Sequence, residues 1–301
     1  MICPIPLGKV DKPDSMIIPM HWVGGVGVVT VFIVMFALGL MLSRQQIHAA
    51  LERRVVLAAV TFAVLVPIPA LAVLVVEVFQ PPRAVAAGIV LMAISPGAPV
   101  ALRRALDAGG DPHLAPALHL SIVLLAVVTV PASVVILDWI FNAHFTVTPL
   151  DIGRQVFFAQ LLPLALGAGL RAFRPHLAHR IEPQLAKAGN VMLLLLGVMA
   201  LIDAPPIFAL VGWLPTAAGV GMTAAALAVG MIFAGRHHDV RPAAGVIAAM
   251  RNPGLALLIA TLNHAPPQVT SSVIGYAFGL AVTIIGFLKW QTRWTRRGKT
   301  G

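Results

Sequence analysis

The amino-acid sequence predicts an all-α membrane protein of about nine transmembrane helices, built as an inverted repeat with one broken helix in each half. Three observations predict it. Of 301 residues, 59% are hydrophobic and only 11% are charged, against about 25% charged in an ordinary soluble domain. The apolar residues arrive in runs of roughly twenty, the length a helix needs to cross about 30 Å of hydrocarbon. Two of those runs also share a twelve-residue segment that ends in Pro-Gly.

Read against their Gly, Pro and charged breakers, the runs are 21–43, 54–79, 83–109, 113–142, 150–172, 188–203, 207–235, 240–263 and 268–290. They form one transmembrane domain, 21–290, with a first repeat over 21–142 and a second over 150–290. A polar tail, 1–20, precedes it. This tail mixes Lys9 and Lys12 with Asp11 and Asp14 and has no continuous apolar run, so it does not read as a signal peptide, and the first helix is expected to direct insertion. A basic tail, 291–301, follows.

The formal charge of +10 reads as a topological signal and not as a nucleic-acid surface, because Lys and Arg lie in alternate connections. Arg44, Arg53 and Arg54; Arg103 and Arg104; Arg171, Arg174, Arg180 and Lys187; Arg236 and Arg241; and the group from Lys289 to Lys299 make up 16 of the 21 basic residues. Cytoplasmic loops are enriched in such residues, which puts the N-terminus outside and the C-terminus in the cytoplasm. The chain has one cysteine, Cys3, so no internal disulfide and no thiol metal site can form. Neither a cofactor nor a metal is expected: His237 and His238 in a cytoplasmic loop are too few ligands.

The shared segment reads AAGIVLMAISPG from Ala86 and AAGVIAAMRNPG from Ala243, without a gap, at an offset of 157 residues. The copies fall in the third and eighth runs, five helices apart, so they have opposite orientations in the membrane. Inverted repeats of this kind are a recurring plan of secondary transporters. Each copy is interrupted by Pro, which lacks the N–H a continuous helix requires. Ser95-Pro96 and Asn252-Pro253 each pair a favoured N-cap residue with Pro at the first helical position, so both are expected to start a new half-helix. From Arg241 to Arg251 is ten residues, about 15 Å, which sets the second break near mid-bilayer. Irregular backbone at that depth is tolerated only beside protein or a water-filled cavity, and such a cavity is the expected substrate site.

These residues resemble the bile acid:sodium symporter family. PGAPVAL followed by ALDAGGDPHL is similar to that family's Pro-Gly-Gly-Thr-Ala-Ser-Asn segment and the turn after it, MRNPGLALLIA to its Glu-x-Gly-x-Gln-Asn-x-Gly-Leu-Ala segment, and ALGLML at 37–42 to its first motif. The resemblance spans nearly the whole chain and implies a panel domain and a core domain, the latter holding two crossed broken helices. It also implies a transporter of the bacterial inner (plasma) membrane, one helix short of the usual ten. The departures are chemical. The family's sodium ligands fall here on Ala101, Leu102, Ala115, His119, Ile247 and Arg251, and sodium coupling through that set is not expected.

The expected substrate-binding residues are therefore Ser95 and Gly97 at the first break, Arg251, Asn252 and Gly254 at the second, and His119, which could also carry a proton because its pKa is near physiological pH. An Arg at mid-bilayer costs roughly 2.5–3.5 kcal/mol on insertion scales, so it needs a partner or a use. Three uses are open: it binds an organic carboxylate or sulfonate directly, it stands where relatives hold a sodium ion, or it bonds to helix carbonyls. Gly275 and Gly279 have the spacing of a close helix contact. Glu77 and Asp138 read as rim residues. No HExxH, GxSxG or P-loop motif is present, which argues against an enzyme. The expected function is alternating-access transport of a small organic anion within a lipid bilayer, with the oligomeric state open. A ligand sensor on the same scaffold and an arsenite-type permease are the alternatives.

Overall fold

The computed structural model describes residues 20–42, 52–98, 100–112, 114–141, 148–202, 204–237, 240–263 and 265–297. Every regular element among them is helical. In chain order these are α1 (Met20–Met41), α2 (Arg54–Leu65), α3 (Pro67–Phe79), α4 (Arg83–Ala93), α5 (Ala101–Asp107), α6 (Leu114–Phe141), α7 (Pro149–Val156), a π-turn (Phe157–Leu161), α8 (Leu162–Phe173), α9 (Pro175–Ile202), α10 (Ala204–Val211), α11 (Leu214–Phe233), α12 (Arg241–Ala249), α13 (Pro253–Leu262) and α14 (Pro267–Arg297). The expected tail 1–20 lies, except for Met20, outside the described residues, and so do Cys3 and His238.

Six stretches among the described residues are long and apolar enough to cross a membrane: Arg54–Phe79, Leu114–Ile136, Pro149–Phe173, Leu214–Phe233, Arg241–Thr261 and Pro267–Arg293. Val26–Met41 and Arg83–Ala93 are apolar but shorter. The sequence pattern anticipates most of these elements, but the run expected at 207–235 is divided between α10 and α11, with Gly212 at a φ of +67° between them, and another run is misplaced. The run expected at 188–203 belongs to α9, a 28-residue helix that already starts at Pro175. Its first half carries His176, His179, Arg180, Glu182 and Lys187, so a search for apolar runs passes over it. Pro175 is nevertheless suited to a first helical position, where its missing N–H is not needed. At the far end α14 continues to Arg297, so most of the expected basic tail is helical.

Packing divides the helices into two groups. α1 lies against α8 and α9, whereas α4, α11, α12, α13 and α14 pack among themselves, with α2 and α6 alongside. The π-turn touches both α1 and α6 and so joins the groups. Small residues set the closest contacts, as lipid-embedded helix pairs require. A Cβ at Gly39 would strike the Leu164 carbonyl, and one at Gly167 the Phe36 carbonyl. The Gly275 and Gly279 spacing likewise makes close contact: Gly279 abuts the Thr216 carbonyl, and the Thr216 hydroxyl donates to the Gly275 carbonyl at 3.0 Å.

Gly167→Leu should force α1 and α8 apart, since the obstructing atoms are backbone, and overpacking of this kind costs about 1–3 kcal/mol or more. Thermal unfolding in detergent should show a lowered midpoint for this variant. Gly169→Ala, whose Cβ meets nothing within 4 Å, should leave the midpoint unchanged or raised. Equal behaviour of the two would mean that this contact does not hold the helices together.

Candidate functional site

The two broken helices meet at their breaks. α4 ends at Ala93, and the Ser95 hydroxyl donates back to the Leu91 carbonyl at 2.6 Å. Ser95 therefore caps nothing, contrary to the sequence expectation. A helix starting there would need its first hydrogen bond from residue 99 to the Ser95 carbonyl, and Pro99 has no N–H to give. The chain instead runs irregularly through Pro96, Gly97 and Ala98, with Gly97 at a φ of +76°, and α5 starts at Ala101. Asn252 behaves as expected. It is extended, its Oδ1 accepts the Leu255 N–H at 3.1 Å, Pro253 takes the first helical position, and the Ala256 N–H reaches the Asn252 carbonyl at 3.1 Å. The Asn252 N–H donates to the Ser95 carbonyl at 2.8 Å and ties the breaks together. These two residues are 157 positions apart, the offset that aligns the repeated segments.

Arg251 is 1% exposed and is the bulkiest of the fully buried side chains. Its Nη1 donates to the Ala93 carbonyl at 3.0 Å and to the Val64 carbonyl at 3.4 Å, and its Nη2 to the Ala248 carbonyl at 2.8 Å. All three acceptors sit in the last two residues of a helix: α4, α2 and α12. Helix C-termini carry unsatisfied carbonyls and roughly half a negative charge each. Three such ends converge on one guanidinium, a planar, permanently charged fork of five N–H donors. The diverted Asn252 N–H explains one vacancy in the ladder, since in a continuous helix it would have bonded the Ala248 carbonyl. Nε finds no acceptor among the described residues. Tyr276, the chain's single tyrosine and itself buried, lies within electrostatic reach of Arg251.

The other positions to which the family resemblance assigns sodium ligands are packed shut. Ala101, Leu102, Ala115 and Ile247 are all buried with apolar side chains. His119 on α6 is 2% exposed, and neither ring nitrogen has a partner among the described residues. Gly254 opens α13, where an added Cβ would lie 3.5 Å from Val31 of α1. Glu77 is exposed near the end of α3; the side chain of Asp138 is outside the described set.

Sequence reasoning missed Gln160. It lies on the buried stripe Ile152, Val156, Gln160, Leu164, Gly167, is 1% exposed, and has no partner for either amide atom among the described residues. Its π-turn precedes Pro163, whose ring would clash with the Ala159 carbonyl in a regular helix. That proline was the available signal. A Cβ on Gly97 would lie 3.3 Å from Gln160 Oε1 and 3.0 Å from Val123, so the amide abuts the first break. A cleft of about 620 Å³ is lined by Leu42, Leu120, Leu124, Leu161, Leu164 and Arg171, among others, with neither Gln160 nor the residues of the two breaks in its lining. Its size is that of a small-molecule site.

Residues 28–208 match the family model described as Sodium Bile acid symporter family. The match covers well over half of the chain and stops before α11, so the second broken helix lies beyond it. No curated protein matches the chain.

Asn252→Ala should destabilise the folded state by about 1 kcal/mol through loss of the cap. Asn252→Ser, which keeps an acceptor, should lie closer to wild type in denaturant unfolding. If both variants unfold alike, the cap does not hold the break.

Proposed function

The chain belongs to the sodium bile acid symporter family, and from that premise we propose that it carries a small organic anion across the membrane by alternating access without using sodium. Membership makes it an integral membrane transporter of the bile acid symporter type. The observation that carries the finer reading is the placement of the Arg251 guanidinium on three helix-end carbonyls. Carbonyl oxygens gathered at helix ends are the donor set of a hard-cation site. Here a tethered cation takes them, and of the other positions where the resemblance puts sodium ligands, Ala101, Leu102, Ala115 and Ile247 carry alkyl groups and His119 an imidazole. Arg251 thus stands in for the ion, and the core is held assembled without it.

The anion is placed at the crossing and not on the far side of Arg251. There the Gly97 and Ala98 N–H groups have no acceptor among the described residues, and the N-terminus of α13 adds the positive end of its dipole. The apolar cleft, with Arg171 in its lining, suits an amphipathic anion. The hydrogen bond between Asn252 and Ser95 supports the inverted repeat, because equivalent residues touch each other only near a two-fold axis. The N-out, C-in orientation is part of the same proposal, supported by the distribution of basic residues, and the bacterial inner membrane is proposed from the family resemblance alone. His119 is the buried group able to take up a proton during the cycle.

The test is uptake of labelled organic anions into proteoliposomes with sodium and proton gradients imposed separately. Wild type should transport equally in sodium and in choline, and Arg251→Gln should lose about tenfold or more in kcat/KM in choline and recover part of it in sodium. Proton-gradient stimulation should vanish in His119→Gln. Sodium-driven uptake by the wild type, left unchanged by Arg251→Gln, would overturn the reading, and binding without flux would point to a sensor.

A further inference from the structure

A buried side-chain amide with both ends unbonded is costly, about 1–3 kcal/mol for each unsatisfied polar group, and such a group in a folded protein calls for an explanation. Gln160 is the one residue on the apolar stripe of its helix that carries this cost at both atoms. Leu or Met there would pack without it. Three features show that the position is not incidental. The π-turn places an extra residue in the helix at this point, and such turns recur at functional sites. Gln160 abuts Gly97, where the backbone of the first broken helix has left its helical path. It lies one turn from Leu164, which lines the apolar cleft.

We propose that Gln160 is a substrate-contacting residue that sets specificity, its amide facing the polar head of the transported anion from the side opposite the two broken helices. This deepens the transport reading above and rests on it. The breaks supply mainly donors: the Gly97 and Ala98 N–H groups and the Asn252 Nδ2, which also has no partner among the described residues. Gln160 adds an acceptor, Oε1, beside its own donor. A bare carboxylate uses donors only. The amide therefore selects an organic anion that has a hydroxyl or amide hydrogen next to its charged end, and it rejects analogues in which that group is replaced by hydrogen, because its own oxygen would then stay unpaired. Since the π-turn packs against α1 as well as α6, the contact spans the two helix groups. A bound head group then touches both of the parts that must move against each other.

The first arm of the test needs no identified substrate. Gln160→Cys in a Cys3→Ser background is treated in sealed vesicles with a charged, membrane-impermeant thiosulfonate that is itself an organic sulfonate. Val128→Cys, at an exposed position within the apolar span of α6, serves as the lipid-facing control. If Gln160 lines the anion path, the thiol of the Gln160→Cys variant reacts about tenfold or more faster than that of the control, although residue 160 is nearly inaccessible in this conformation, since alternating access opens it to water. A thiol at position 160 that stays unreacted in folded, monodisperse protein overturns the proposal, whether or not transport is found. The second arm follows uptake of labelled substrate by Gln160→Asn. This variant should raise KM about tenfold with kcat little changed, and the loss should be smaller for a substrate analogue lacking the neighbouring hydroxyl or amide. An equal loss for both analogues would overturn the specificity role, and the absence of flux in wild type would count against the transport reading and leave the labelling result standing.

Discussion

A helix broken in mid-membrane leaves carbonyl and amide groups that hydrocarbon cannot satisfy, and the core of this protein is organised around that constraint. Three helix ends with surplus carbonyls, at Val64, Ala93 and Ala248, are drawn onto one guanidinium. The amide released at Asn252 goes to Ser95, whose own helical partner would have been a proline. The breaks are thus interdependent. Removing the guanidinium of Arg251 would leave the three carbonyls without their common partner, at about 1–3 kcal/mol for each buried polar group left unsatisfied. Burial of an arginine, which looks like a liability in a bilayer, is what allows the irregular backbone to persist.

Much of this was legible in the sequence, and the failures have identifiable causes. The Pro-Gly pairs marked both breaks because proline removes a donor that no other residue lacks. Asn252 was readable as a cap for the same reason that Ser95 was misread: the local dipeptides are alike, and the difference lies a few residues further on, where Ala256 can donate and Pro99 cannot. The start of α9 was hidden because an amphipathic, charged first half gives no apolar run. Gln160 was hidden for a different reason. A single amide in FFAQLLP is ordinary as composition, and it becomes chemically informative only once the π-turn brings it against a break some sixty residues earlier in the chain.

The three uses left open for Arg251 draw on different donors of the guanidinium. Three bonds from Nη1 and Nη2 go to carbonyls, while Nε has no acceptor among the described residues, so direct capture of an anion would have to use the Nε side of the fork. The structural use and the surrogate use, by contrast, are one arrangement seen from two sides. A cation that satisfies helix ends is structural by its bonds and ion-like by its charge, so the distinction between them is functional: whether the protein has kept a use for the site that a free ion could fill.

A tethered cation has an energetic consequence that a bound ion does not. A free sodium ion crosses with the substrate, adds its own gradient to the driving force and offsets the substrate's charge, whereas Arg251 stays behind. On the proposed reading, a monovalent anion then moves uncompensated, and an inside-negative potential opposes its entry by about 2.3 kcal/mol per 100 mV. Concentrative uptake would require another positive charge to move with it. The buried imidazole of His119, which has no partner among the described residues, is the group proposed to bring in a proton, and without it the same carrier would work as a facilitator or in the outward direction, where the potential favours the anion. On the proposed reading, alkyl groups at positions where the resemblance puts sodium ligands and a buried histidine at another of them are two halves of one energetic argument about which way the substrate can go.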